Sequence, residues 1–182
     1  PQWMYASGEA YTIDQSLKFN DDDSPYLTRT PASAGNRKTW TWSAWVKRSQ
    51  STTETPIFIV EEDGNNRVQF RFNSDQIRVY DVSSGSVAYD IKTTAVYRDY
   101  SAWLHILVAF DTTQSTASNR LKLYVNGTQV TDLATSTYPS QNFDGVVNKA
   151  VAHNIGAILS GSTNRYFEGY QTEVNFIDGQ AL

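Results

Sequence analysis

Residues Thr39 to Lys47 read TWTWSAWVK. Trp40, Trp42, Ala44 and Val46 fall on alternate positions, with Thr41, Ser43 and Trp45 between them. That period of two belongs to a β-strand, and no helical stripe at i, i+3, i+4 can be drawn through it. A strand carrying two tryptophans and two aliphatic groups on one side must bury that side, so a second layer is required. Trp45 points the other way.

The same grammar continues on both sides. Ile57 to Glu62 and Arg67 to Asn73 flank the turn Asp63-Gly64-Asn65-Asn66, and Asn73-Ser74-Asp75 leads into Gln76 to Val82. Turns this short join antiparallel neighbours, so the three strands form a meander. Trp103 to Phe110 (WLHILVAF) is almost continuously apolar, which predicts a strand covered on both faces. Arg120 to Val125 enters Asn126-Gly127, a strong hairpin signal, and leaves through Thr128 to Val130. In the last strand, Tyr166 to Ile177, alternation places Tyr170, Thr172, Val174 and Phe176 on one side and Gln171, Glu173 and Asn175 on the other. About ten or more short strands with regular turns predict an all-β, two-sheet antiparallel jelly-roll β-sandwich, a closed barrel being the weaker option. Trp40, Trp42, Val108, Phe110 and Val174 are its expected core. Residues 1–16 read as an N-terminal arm whose Trp3 and Tyr5 lie on something apolar, and residues 17–182 as the domain. Thr112 to Asn119 and Leu133 to Asn148 read as long loops.

Composition narrows the chemistry. The chain has 182 residues, 15 Lys+Arg against 19 Asp+Glu, a net charge of -4, no cysteine and 13% aromatic residues. Without cysteine there is no disulfide framework, thiolate zinc site or cysteine nucleophile. The acidic balance argues against nucleic acid as a partner. No apolar run reaches the ~18–20 residues of a membrane span, so membrane insertion is not expected. His105 and His153 are the only histidines, and G-x-S-x-G is absent, so a nucleophilic triad is not supported. Asn126-Gly127-Thr128 fits a glycosylation pattern, but the hairpin accounts for it.

Carbohydrate recognition needs aromatic faces for sugar C–H surfaces and a few amides or carboxylates for hydroxyls. By parity, Trp45, Tyr124, Glu173 and Asn175 face away from the core and are candidates for a shallow polar-aromatic groove. Tyr138, Asn142, Phe143 and Asp144 in the Leu133 to Asn148 loop form an alternative set, and that loop is one candidate cover for Trp45. No cofactor is required, although two oxygen-rich runs could serve calcium: Asp21-Asp22-Asp23, and Glu61-Glu62-Asp63-Gly64-Asn65-Asn66. The bland alternative is that both are solvated turns.

Three segments carry a family resemblance. Thr39 to Lys47 resembles the early core strand of laminin-G-like and pentraxin-like domains. Trp103 to Asp111 followed by Leu121 to Val130 (LKLYVNGTQV) resembles their later signature, in which Tyr-Val-Asn/Asp-Gly forms a hairpin. Ile155-Gly156-Ala157 and Phe167 to Leu182 (FEGYQTEVNFIDGQAL) resemble the closing strands. The group is the concanavalin A-like lectin/glucanase superfamily. More narrowly, Ser16 to Arg48 and Gly169 to Leu182 resemble domains of bacteriophage tail-fibre and appendage proteins. That resemblance implies a module within a longer, trimeric chain, made in the bacterial cytoplasm and carried on the virion. Its partners would be a host surface carbohydrate or protein, together with other virion proteins. Many laminin-G-like relatives bind calcium at rim loops, which adds Asp21, Asp22, Asp23, Glu62 and Asp63 as candidates. The glucanase branch supplies its acids from a strand reading Glu-x-Asp-x-x-Glu, and no such string exists here. Retaining hydrolysis needs two carboxylates ~5–5.5 Å apart, so a non-enzymatic adhesion module is expected. A purely structural assembly module and a polysaccharide depolymerase are the rivals.

Overall fold

The computed structural model describes residues 13–159 and 164–182; Trp3 and Tyr5 lie outside them. In chain order the strands are β1 (Leu17–Phe19), β2 (Leu27–Arg29), β3 (Thr39–Arg48), β4 (Glu54–Asp63), β5 (Asn66–Asn73), β6 (Gln76–Ser83) and β7 (Ser86–Thr93). They continue as β8 (Leu104–Asp111), β9 (Leu121–Val125), β10 (Thr128–Gln129), β11 (Leu133–Thr137), β12 (His153–Ile155), β13 (Ala157–Ile158), β14 (Arg165–Tyr166) and β15 (Gly169–Asp178). A six-stranded sheet runs β1-β15-β3-β8-β9-β10, and a seven-stranded sheet runs β11-β7-β6-β5-β4-β12-β2. Neither closes on itself, so the molecule is a two-layer antiparallel sandwich. β13 and β14 form a separate short hairpin. The meander of β4, β5 and β6 extends to β7, and part of the Leu133 to Asn148 stretch is ordered as β11 against β7.

β3 shows why the layers adhere. Its inward residues Trp40, Trp42, Ala44 and Val46 are fully buried. Trp40 stacks on Phe110 of its own sheet at 4.6 Å and on Phe70 of the facing sheet at 6.1 Å. Trp42 meets Phe70 edge-on at 5.3 Å and Phe58 at 5.6 Å. Offset and edge-to-face arrangements of this kind add to the hydrophobic gain of burial. Val108 and Phe110 complete the core as expected. Val174 differs: it is only half-buried, at an open edge between the sheets. β8 also differs, because its outward His105 and Leu107 remain half-exposed and the strand is sealed on one face only.

The largest departure from simple alternation is in β15. Thr172 pairs with Trp45, but the next pair is Asn175 with Ser43, so one extra residue is inserted on β15. Glu173 sits at this bulge with φ 48°, a left-handed conformation uncommon for a residue with a side chain. The bulge inverts the parity. Before it, Gln171 pairs with Val46 and is buried, while Tyr170 and Thr172 face out; after it, Phe176 pairs with Trp42. The expected grouping of Tyr170 and Thr172 with Val174 and Phe176 is therefore wrong. So is that of Gln171 with Asn175. The amide of Gln171 has no hydrogen-bond partner among the described residues.

Candidate functional site

The outer face of the six-stranded sheet is built from cross-strand rows. One row is Thr172, Trp45 and His105; the next is Asn175, Ser43, Leu107 and Tyr124. Trp45, Tyr124 and Asn175 thus share a face. Asn175 spends one amide donor locally, on the carbonyl of Glu173 at 2.8 Å. The Trp45 ring lies 5.1 Å from that of His105, whose pKa is lowered by burial. Trp103, just before β8, brings its ring 6.4 Å from Tyr170, with the Lys47 ammonium 6.0 Å from the Tyr170 ring centre. Four half-buried rings, Trp45, Trp103, His105 and Tyr170, therefore occupy one end of this face.

Residues 13–16 run across them. The Thr172 hydroxyl donates to the Gln15 carbonyl at 2.8 Å. Between this segment and the sheet lies a hollow of about 350 Å³, with Ile13 to Ser16 on one side and Trp45, Trp103 and Thr172 on the other. Asp14, Gln15 and Ser16 are exposed polar groups. Two indoles beside a carboxylate, an amide and two hydroxyls can hold a polyol: ring faces against C–H surfaces, and polar atoms for hydroxyls. Trp103 and Thr172 were missed as site residues. Trp103 reads as the start of an apolar strand, and Thr172 reads as core until the bulge is known.

The alternative loop set is tied into the fold. The Asn142 N–H donates to the Thr112 carbonyl at 2.7 Å, and the Thr112 hydroxyl donates to the Phe143 carbonyl at 2.8 Å. Phe143 packs edge-on against Tyr89, Tyr138 packs on the core, and Asp144 pairs with Arg37 at 3.2 Å. These residues close one end of the sandwich, and the cover over Trp45 is the 13–16 segment.

The acidic runs do not converge. Asp21–Asp23 form a short 3-10 turn after β1, where Asp23 accepts from Asn20 at 2.7 Å and Asp21 accepts from Gln50 at 3.0 Å. Glu62, on β4 of the other sheet, pairs with Lys149. Asp63 caps its own turn, accepting from the Asn65 N–H at 2.8 Å and from the Asn66 amide, and these bonds hold its pKa below the usual carboxylate range. No group of three or more histidine or acidic side chains comes together as a metal cage among the described residues. Asp21, Asp22 and Asp23 thus form one group and Glu62 and Asp63 another, on different parts of the fold. Addition of EDTA is expected to leave the melting temperature within about 1 °C, whereas a bound native-state ion would give a drop of several degrees.

Three other carboxylates are structural. Asp75 is lowered to about 2, first by the Ser51 hydroxyl, then by Arg98, Tyr100 and Arg48. On the outer face of the seven-stranded sheet, Arg78 grips Asp90 through two bonds of 2.8 and 2.6 Å and lies 4.4 Å from the Tyr80 ring centre. Arg71 pairs with Glu54 at 2.5 Å on the same face. These charges answer one another. No helix among the described residues is long and apolar enough to cross a membrane.

Two antiparallel sheets with an aromatic outer hollow define a jelly-roll sandwich of the lectin type. Residues 21–181 match a laminin G family model described as the concanavalin A-like lectin/glucanases superfamily, and the chain belongs to that superfamily. Solved structures agree on the fold. Domain 4 of AbnA, an extracellular arabinanase of Geobacillus stearothermophilus solved with arabinotriose, is 21% identical, with 81% of this chain and 64% of that one covered and a TM-score of 0.59. Mouse laminin alpha1 domains LG4-5 are 11% identical over 92% and 44% of the two chains, with a TM-score of 0.62. The CBM40 module of the Ruminococcus gnavus IT-sialidase, bound to α2,3-sialyllactose, is 13% identical over 86% and 93%, with a TM-score of 0.56. The chain thus spans less than two thirds of the arabinanase and laminin chains. A comparison with curated proteins finds no match.

Proposed function

We propose that the chain is a non-catalytic carbohydrate-binding module that seats a sugar between Trp45 and Trp103. The observation that carries this is the hollow of about 350 Å³, which combines two half-buried indoles with exposed polar groups of residues 13–16. The neighbours solved with arabinotriose and sialyllactose make a sugar ligand a natural first test. The resemblance of Ser16 to Arg48 and Gly169 to Leu182 to phage appendage domains supplies the setting: an adhesion module on a virion, contacting glycans of the bacterial surface. One shallow hollow gives weak affinity, and display in several copies multiplies it by ~10²–10⁴.

A glycan array probed with an artificially multimerised form tests this directly. Binding to a defined set of bacterial surface glycans is expected, with Trp45→Ala and Trp103→Ala each weakening it about tenfold, equivalent to the loss of roughly 1.4 kcal/mol. No binding by the multimer rejects the adhesin and favours a purely structural role. Binding that survives both substitutions moves the site elsewhere. Sustained release of reducing sugar from the bound polysaccharide rejects the non-catalytic assignment.

A further inference from the structure

The second surface lies between the sheets, at the edge where β2 faces the C-terminal half of β15. There a cleft of about 840 Å³ opens, within the ~300–1,000 Å³ range of small-molecule sites. One side is apolar, with Val174 and Phe176 after the β15 bulge and Leu27 and Ile155 from the facing sheet; Trp42 and Phe58 lie buried beneath it, and Thr28, Arg29, Ser33, Asn175 and Asp178 make the remainder polar. Leu27 and Phe176 at the mouth are 46% and 36% exposed, an apolar pair that a monomeric sandwich has no packing reason to display. The roof, Pro31 to Gly35, is held down by the Gly35 N–H donating to the Asn148 carbonyl at 2.9 Å. A Cβ on Gly35 would come within 2.3 Å of the Asn148 amide, so glycine permits this close approach and the site is preformed.

The polar groups in the cleft divide into spent and spare. The His153 Nε2 accepts from the Asn148 N–H at 2.9 Å, and its Nδ1–H donates to the Val151 carbonyl at 2.8 Å. Asp178 accepts from the Asn36 N–H at 2.8 Å and from the Asn148 amide at 2.7 Å. Arg29 is the cationic side chain of the lining and forms no ion pair among the described residues. An unpaired cation beside an apolar side suits an anionic head on an apolar body.

We propose that this cleft binds a small anionic amphiphile: an aromatic or alkyl body against Leu27, Ile155, Val174 and Phe176, with its carboxylate or sulfonate at Arg29. The site is separate from the outer hollow, and the proposal stands or falls independently of sugar binding there. Fluorescence titration with 1-anilinonaphthalene-8-sulfonate and with uncharged N-phenyl-1-naphthylamine tests it, on protein showing a native near-UV spectrum and a cooperative melt. Both probes are expected to saturate a single site, with Val174→Trp weakening each at least tenfold. Arg29→Gln is expected to weaken the sulfonate five- to tenfold and the uncharged probe less than twofold. If Val174→Trp unfolds the protein, Ala34→Trp on the exposed roof blocks the mouth without touching the core. No saturable binding, binding that survives the blocking substitution, or binding lost in Trp45→Ala overturns the proposal. So does a self-associated protein that the blocking substitution converts to monomer without any probe, since the occupant is then a second copy.

Discussion

Replacing Trp40 with alanine is expected to lower the unfolding free energy by about 3–5 kcal/mol, the range for removing a large aromatic side chain from a packed core. Trp40 is fully buried and touches both layers: Phe110 at 4.6 Å and 12° between planes, Phe70 at 6.1 Å, and Phe176 at 5.9 Å. Its loss opens a cavity between the sheets where neither can sink without breaking register. The indole N–H has no acceptor among the described residues, so the cost is packing and not a lost hydrogen bond. Trp40→Phe, which keeps a ring in the stack and deletes the orphan donor, should cost less than half as much. Urea melts would read this as a fall in midpoint at unchanged slope. A loss below about 1 kcal/mol for the alanine variant would show that Trp40 does not wedge the layers together.

The second large effect depends on pH. Asp81 sits on β6, paired with Val68 and Tyr89, and faces the core. It is 1% exposed, and neither carboxylate oxygen has a hydrogen-bond partner among the described residues. Burial raises its pKa to about 7, against a smaller opposing pull from Arg67. The folded protein thus holds a proton on Asp81 that the unfolded chain, with a carboxyl near 3.9, has released. Stability therefore falls as pH rises between those values, by about 3 kcal/mol from pH 5 to pH 8 for this group. His153 and His105, both lowered by burial, act in the opposite sense, removing stability as pH falls below 6.5. Asp81→Asn isolates the carboxylate because the histidine contributions cancel between variant and parent. The variant's advantage over the parent should grow by about 3 kcal/mol between pH 5 and pH 8. For a chain of this length that is roughly 6–12 °C in melting temperature. A pH-independent difference between the two would mean that Asp81 is ionised in the fold.

Most of the sandwich was legible because burial on one face writes a period of two into a strand. β3 states it openly, and the Asn126-Gly127 turn and the meander follow from turn chemistry. Some of the shortest strands were not legible. β1 and β2 have three residues each, too few to show alternation, and they are recognised only by the neighbours they pair with. The bulge at Glu173 was invisible for a different reason. Such insertions are often flagged by glycine, whereas here glutamate takes the left-handed conformation. Trp45 facing outward followed from parity. That residues 13–16 cover it did not, because a contact with Thr172 more than 150 residues away leaves no local pattern.

Glu173 also divides β15 into halves with different uses. Upstream of it the strand turns its alternate residues toward the outer hollow; downstream it turns them into the inter-sheet cleft. Deleting this single residue would set Val174 opposite Ala44 in an unbroken pleat and leave the pairs on both sides of it in register. The strand should therefore tolerate the loss of Glu173, whereas a further residue added here would slip one half of β15 against β3. The bulge is thus a removable insertion, and relatives one residue shorter at this point are expected to keep both surfaces.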